Sequence, residues 1–300
     1  MLRTFTAREF RPERLLAAKR GRQVAVCLPA RDEAETIGET VASVQRELVN
    51  KFALVDELVV VDDGSTDGTA EAAAAAGAKV IDAASVLPEY GTEHGKGQAM
   101  WRAVHVTHSD VVVFLDADVK RFDPSFVLGL VGPLLTRDDV TAVKGFYDRP
   151  LHGRPGEGGR VTELMARPLI SVFFPHLSGL QQPLAGEFAA RRDVLEAVPF
   201  VGGYGVDLGL LIDISDRFGR SGLVQCDLGE RVHRNRPLSE LSVQSLAILQ
   251  VVLQRAGVAH EDAAAFGWTV QLLRPGLEPT PVTFTERPPL AEVPAHRKTA

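Results

Sequence analysis

Three apolar runs in the first 120 residues each end in a polar, mostly acidic cluster. VAVCLP (24–29) runs into ARDE, ELVVVD (57–62) into DGSTD, and VVVFL (111–115) into DADV. Helix-period segments separate them. One covers roughly 33–48; another, STDGTAEAAAAAG (65–77), opens on Ser/Thr/Asp and stops at Gly77. A short run, KVID (79–82), and a polar loop, EYGTEHGKGQ (89–98), lead into a helix through about 105. Strands alternating with helices at this spacing predict an α/β fold, a Rossmann-like, mostly parallel twisted sheet flanked by helices. Such sheets bind ligands outside the carboxyl ends of their strands. The three polar clusters are therefore expected to meet in one crevice.

The third cluster carries the sharpest chemistry. Asp116 and Asp118 stand at i and i+2 of an extended segment, so both carboxylates aim at one spot. Two adjacent negative charges repel unless a cation or hydrogen-bond donors lie between them. One enzyme class uses such a pair to hold a divalent ion against the diphosphate of a sugar nucleotide. Another, the Mg²⁺-dependent haloacid-dehalogenase-type phosphatases, would use Asp116 as a nucleophile, but there the motif usually belongs to the opening strand. Alone, the pair also fits a solvated turn, and a non-catalytic nucleotide-sugar-binding module is a third reading. A dehydrogenase is disfavoured because no G-x-G-x-x-G follows the first run.

Net charge is −6, which removes a general electrostatic footprint for nucleic acid. Cys27 and Cys226 sit inside apolar runs and read as core residues. No signal-length apolar segment opens the chain, and no window reaches the ~18 apolar residues of a membrane span. A soluble cytoplasmic protein is expected. In the second half, TAVKGFY (141–147) predicts a strand, LHGRPGEGGRVT (151–162) a Gly-rich loop, 162–173 a helix, and 181–195 a turn, a short strand and a helix start. Helices at 203–219 and 239–256 flank a strand at LVQCDLG. From about 274 the chain is Pro-rich, expected as a strap or a partly disordered tail.

LPARDE, DDGSTD and DAD occur in the order found in the family-A nucleotide-sugar glycosyltransferases, and HGKGQAMWR adds Lys96 before a helix. Together with GRVTELMARPL, QPLAGEFAARRDVL, GYGVDLGLLID and VHRNRPLSEL, they make the chain resemble the glucosyl-3-phosphoglycerate synthases of actinobacteria and the related mannosyl-3-phosphoglycerate synthases, from about residue 13 to 287. The resemblance implies a family-A glycosyltransferase fold. Residues 1–140 would bind the nucleotide sugar, 141–273 would bind the acceptor and complete the metal site, and 274–300 would form the tail. The implied reaction is retaining transfer of glucose from UDP-glucose, or another NDP-hexose, to the 2-hydroxyl of 3-phosphoglycerate. Mannose from GDP-mannose is the alternative.

The resemblance also assigns residues. Pro29, Ala30, Glu33, Asp63, Lys96, Asp116, Ala117, Tyr204, Asp207 and Arg231 would hold the nucleotide sugar. Asp118 and His233 would carry Mg²⁺ or Mn²⁺. Gly159, Arg160, Thr162 and Asn235 would dock the acceptor phosphate, and Leu184 would lie near the anomeric carbon with Asp116, Asp118 and Arg231. Asp207 stands where the glucosyl enzymes carry Glu. Ala117 and Asp63 are smaller departures near the nucleotide. A homodimer is implied as well.

Overall fold

The computed structural model describes residues 2–148, 159–231, 238–258, 267–274 and 277–297. Its strands are β1 (Thr4–Thr6), β2 (Val24–Ala30), β3 (Glu57–Asp62), β4 (Lys79–Asp82), β5 (Val111–Phe114), β6 (Ala142–Asp148), β7 (Phe188–Arg191), β8 (Phe200–Val201), β9 (Leu223–Glu230), β10 (Gly267–Arg274) and β11 (Leu277–Arg287). The α-helices are α1 (Pro12–Lys19), α2 (Ile37–Val44), α3 (Thr69–Ala75), α4 (Lys96–Val106), α5 (Ser125–Thr136), α6 (Arg167–Phe173), α7 (Arg192–Glu196), α8 (Val206–Phe218), α9 (Leu238–Arg255) and α10 (Pro294–Arg297). The main sheet has the order β1-β9-β6-β7-β5-β2-β3-β4, and β10, β11 and β8 form a smaller one.

The apolar runs are apolar at every position because both faces of the main sheet are covered. Val24, Val26 and Leu28 of β2 join one buried cluster with Val111 and Val113 of β5. Ala25 and Cys27 join a second cluster with Val112 and Phe114. Successive side chains of a strand point to opposite faces, so each residue type feeds one core or the other. Helices α1, α2 and α5 cover the first face. Helices α4, α6, α7 and α8 cover the second, with Leu290 and Val293 from the C-terminal segment.

The sheet is mostly parallel, as expected, with one exception. β7 runs antiparallel to both β5 and β6. Its entry, residues 184–187, therefore sits at the edge where β5 and β6 end, and so delivers a loop to the crevice. The helix expected from about 33 begins at Ile37, because the residues before it form a crevice loop described below. α3 likewise starts at Thr69 rather than 65. β1, α1, α5, β8 and β10 carried no clear signal. α5 (SFVLGLVGPLLT) is buried from Phe126 through Leu135, so no polar face marks a helical period. The Pro-rich C-terminal segment is a strap where described: β11 pairs with β10 and β8. Among the described residues no helix is long and apolar enough to cross a membrane.

Candidate active site

The carboxyl ends of β2, β3 and β5 open on a single crevice of about 590 Å³. Pro29, Ala30 and Glu33 line it from the first cluster, Asp63 from the second, and Asp116, Ala117 and Asp118 from the third. The predicted convergence is therefore present. Lys96, Leu184, Tyr204, Asp207 and Arg231 line the same space, as do Gly159, Arg160 and Thr162. His233 and Asn235 lie outside the described residues.

The second cluster is the scaffold of the first. The Asp32 N–H donates to Ser65 Oγ at 3.0 Å, Glu33 N–H to Thr69 Oγ1 at 2.8 Å, and Ala34 N–H to Asp67 Oδ2 at 3.0 Å. Asp32 returns a bond, accepting from the Thr66 N–H at 2.9 Å. These N–H groups would otherwise start a helix, which is why α2 is delayed to residue 37. Thr36 Oγ1 then donates to the Ala117 carbonyl at 2.7 Å, tying the first loop to the Asp pair. Asp63 is buried, accepting from Gly95 N–H at 2.7 Å, with His94 Nδ1 at 3.3 Å. Burial pushes its carboxyl up, and the Gly95 and His94 contacts only partly offset this.

A chain of alternating charges runs along the crevice floor. Lys96 Nζ lies 2.9 Å from Asp116 Oδ1 and 3.0 Å from Asp207 Oδ2. Arg231, at the end of β9, lies 3.0 Å from Asp116, 2.5 Å from Asp118 and 3.0 Å from Glu187, and its Nη1 also donates to the Tyr147 hydroxyl. Lys144 Nζ donates to the Ala185 carbonyl and lies 3.4 Å from Asp207 Oδ1. Burial alone would raise the Asp116 carboxyl, but Lys96 and Arg231 override it and hold it well below the usual carboxylate range. Burial likewise opposes charge on Lys96, and Asp116 and Asp207 more than reverse that. Gly186 lets this packing exist: a Cβ there would sit 1.9 Å from Asp116 Oδ1.

A divalent cation fits the lip of this network. Four carboxylates (Asp116, Asp118, Glu187, Asp207) face three cations (Lys96, Lys144, Arg231). Asp118 is the more exposed of the pair and gives Oδ1 to Arg231, leaving Oδ2 as a hard oxygen donor. Among the described residues no group of three His, Cys, Asp or Glu side chains is placed to hold a metal. One carboxylate oxygen suits an ion that takes most of its shell from a bound diphosphate. In the crevice lining, Gly159 has a φ of +81° and its carbonyl accepts from Glu163 N–H at 3.1 Å, opening the helical segment that carries Arg160 and Thr162. The backbone N–H groups at such an opening, beside a guanidinium, suit an anion.

Sequence reasoning did not single out Lys144, Tyr147, Glu187 or His94. Lys144 had a legible signal: a lysine inside the apolar run TAVKGFY must be buried and therefore paired. Glu187 stood in a quoted motif, but nothing in its spacing showed that it would face Arg231 from an antiparallel strand.

The model of "Glycosyl transferase family 2" matches residues 25–174. Glucosyl-3-phosphoglycerate synthase of Mycolicibacterium smegmatis is 46% identical over 92% of this chain and 91% of that protein. The crystal structure of glucosyl-3-phosphoglycerate synthase from Mycobacterium tuberculosis in complex with Mn²⁺, UDP-glucose and phosphoglyceric acid superposes with a TM-score of 0.84 at 42% identity, covering 96% of this chain and 98% of that one. Mannosyl-3-phosphoglycerate synthase from Rubrobacter xylanophilus superposes with a TM-score of 0.87 at 38% identity, covering 97% of each chain. The chain thus belongs to glycosyl transferase family 2, among the glucosyl-3-phosphoglycerate synthases.

Proposed function

We propose that this protein transfers glucose from UDP-glucose to the 2-hydroxyl of 3-phosphoglycerate, with retention at the anomeric carbon. The observation that carries the reading is the convergence of three strand-end clusters on a crevice that Gly159, Arg160 and Thr162 also line. The relative crystallised with Mn²⁺, UDP-glucose and phosphoglyceric acid supports the choice of substrates. Backbone similarity does not separate glucosyl from mannosyl enzymes, since both superpose closely. Among the superposed structures, sequence identity favours glucose, at 42% against 38%. The phosphatase alternative is disfavoured because Asp116 is pinned between Lys96 and Arg231, where a nucleophile would need a free oxygen.

In this reading Asp63 and the loop around Pro29, Ala30 and Glu33 hold the nucleoside, and Lys96 and Arg231 balance the diphosphate. Tyr204 and Asp207 face the hexose, with Leu184 beside the anomeric carbon. Arg160, Thr162 and the Gly159 turn receive the acceptor phosphate, joined by Asn235. Mg²⁺ or Mn²⁺, held by Asp118 and His233, supplies charge stabilisation to the departing diphosphate. The acceptor hydroxyl attacks C1 from the face the diphosphate leaves. The C1–O bond to UDP breaks as the bond to glycerate forms, and the hydroxyl proton passes to the leaving phosphate. This route is favoured because Asp116, Asp118 and Asp207 each carry a cation and none is placed as a covalent nucleophile. The division into donor part (1–140), acceptor part (141–273) and C-terminal strap (274–300), a homodimer and a cytoplasmic location belong to the same proposal. The test is to incubate the protein, Mg²⁺ and 3-phosphoglycerate with UDP-glucose, GDP-glucose and GDP-mannose separately. Release of UDP from UDP-glucose dependent on the acceptor is expected; faster release of GDP from GDP-mannose would overturn the choice of donor.

A further inference from the structure

β11 is stitched to both segments that bring charge to the donor side of the crevice. On one side, Arg287 donates through Nε to Gln98 Oε1 and through Nη2 to Glu93 at 2.6 Å, bracketing His94, Gly95 and Lys96. Trp101 Nε1, one turn further along α4, donates to the Pro288 carbonyl at 2.9 Å. On the other side, Arg287 and Glu286 pair with Phe200 and Val201 of β8, and Gly202 N–H donates to the Thr285 carbonyl at 2.8 Å. The 200–202 segment runs directly into Gly203, Tyr204 and Asp207. The two segments also touch: Gln98 N–H donates to the Gly202 carbonyl at 3.3 Å, and a Cβ on Gly97 would lie 1.7 Å from the Val201 carbonyl. Residues 285–288 thus hold together the backbones whose side chains Lys96 and Asp207 form an ion pair over the crevice.

We propose that Arg287 is a positioning residue for donor binding. Through Glu93 and Gln98 it sets the His94–Lys96 loop against the segment leading to Asp207, and so fixes the Lys96 ammonium and the Asp63 partners Gly95 and His94 at the nucleotide end. The proposal rests on reading the crevice as a UDP-sugar site. Glu93 makes its contribution from solvent, its side chain being 61% exposed while that of Arg287 is 10% exposed. Ion pairs with such an exposed partner contribute little to stability, which separates a positioning role from a structural one.

The test titrates UDP with Mn²⁺ into the wild type, Glu93→Ala, Arg287→Ala, Arg287→Lys and the double alanine variant by calorimetry, alongside both KM values and the melting midpoint. Glu93→Ala is expected to melt with the wild type yet bind UDP roughly three- to tenfold more weakly, a misplacement effect. KM for UDP-glucose should follow, and KM for 3-phosphoglycerate should stay put. Arg287→Ala should lose more affinity, Arg287→Lys should fall between, and the double variant should match Arg287→Ala because both act through one contact. Unchanged UDP affinity in Glu93→Ala, or donor and acceptor KM rising together, overturns the proposal. Failure of the wild type to bind UDP with Mn²⁺ instead overturns the donor-site reading beneath it.

Discussion

Replacing Asp207 by Asn removes the carboxylate that faces Lys144 while keeping its shape. The Lys144 side chain is 2% exposed and lies 3.4 Å from Asp207, with the Ala185 carbonyl as its other bonding partner. Lys96 would survive the change because it keeps Asp116. Removing one partner of a buried pair costs about 3–5 kcal/mol, and the retained carbonyl bond argues for the lower end. A loss of about 3 kcal/mol should lower the melting midpoint by roughly 5 °C in a chain of 300 residues, at about 2.1 cal/mol/K of unfolding entropy per residue. Lys144→Met with Asp207→Asn should recover most of that, since removing both charges leaves nothing unpaired. The pH dependence gives a second check. Burial lowers the Lys144 ammonium below the ordinary lysine value of 10.5, and Asp207 opposes this, so the variant's value falls further. Below that folded-state value the penalty is complete. Between it and the wild type's own lowered value the folded variant holds a neutral lysine while the folded wild type still binds the proton, so the penalty shrinks by about 1.4 kcal/mol per pH unit, and above the wild type's value it no longer changes. Urea denaturation of the wild type, Asp207→Asn and the double variant from pH 7 to 10.5 measures all of this. A double variant no more stable than Asp207→Asn, or a penalty that stays flat with pH, would refute the pairing.

Asp118→Ala should nearly abolish transfer with the fold intact, measured as UDP release beside a melting curve; substantial turnover in chelator-treated buffer would remove Asp118 from the metal site. Arg160→Ala should raise KM for 3-phosphoglycerate about ten- to a hundredfold, the worth of one charge-assisted bond, and leave KM for UDP-glucose nearly unchanged. Asp63, raised by burial, takes its proton at a higher pH than an ordinary carboxyl, so UDP affinity should fall as pH drops through that range. Asp63→Asn should weaken UDP binding at neutral pH and erase this acid limb. Asp116 cannot supply the limb, because its depressed value keeps its stabilising charge present above the ordinary 3.8 and loses it only in stronger acid.

The strands that build the crevice were legible because β2, β3 and β5 are short, apolar on both faces and punctuated by polar clusters. Their convergence followed from topology alone. Helix starts were misplaced where side chains took over the backbone, as Ser65, Asp67 and Thr69 do for residues 32–34. The antiparallel β7 left no trace in FAAR, because strand direction is set by long-range pairing rather than by local pattern. Lys96, Asp116, Asp118 and Arg231 could be picked out as site residues, but not their mutual pairing. That depends on β9 bringing Arg231 to the end of β5 from more than a hundred residues away in sequence. The buried anchor Glu187 was hidden for the same reason.

The edge strand β1 carries a consequence for how the chain is made. Thr4 lies opposite Gln225 of β9, about 220 residues later in the sequence. At roughly 5–20 residues per second, a ribosome needs ~10–45 seconds to reach that partner after synthesising β1. Once β6 (Ala142–Asp148) has been made, it too lacks its outer neighbour until β9 follows, since β9 pairs with both. Closing so long a loop is slow, and unpaired strand edges invite contacts between nascent chains. Residues 4–6, made about 220 residues before their partner, are therefore among the last to find their place in the sheet.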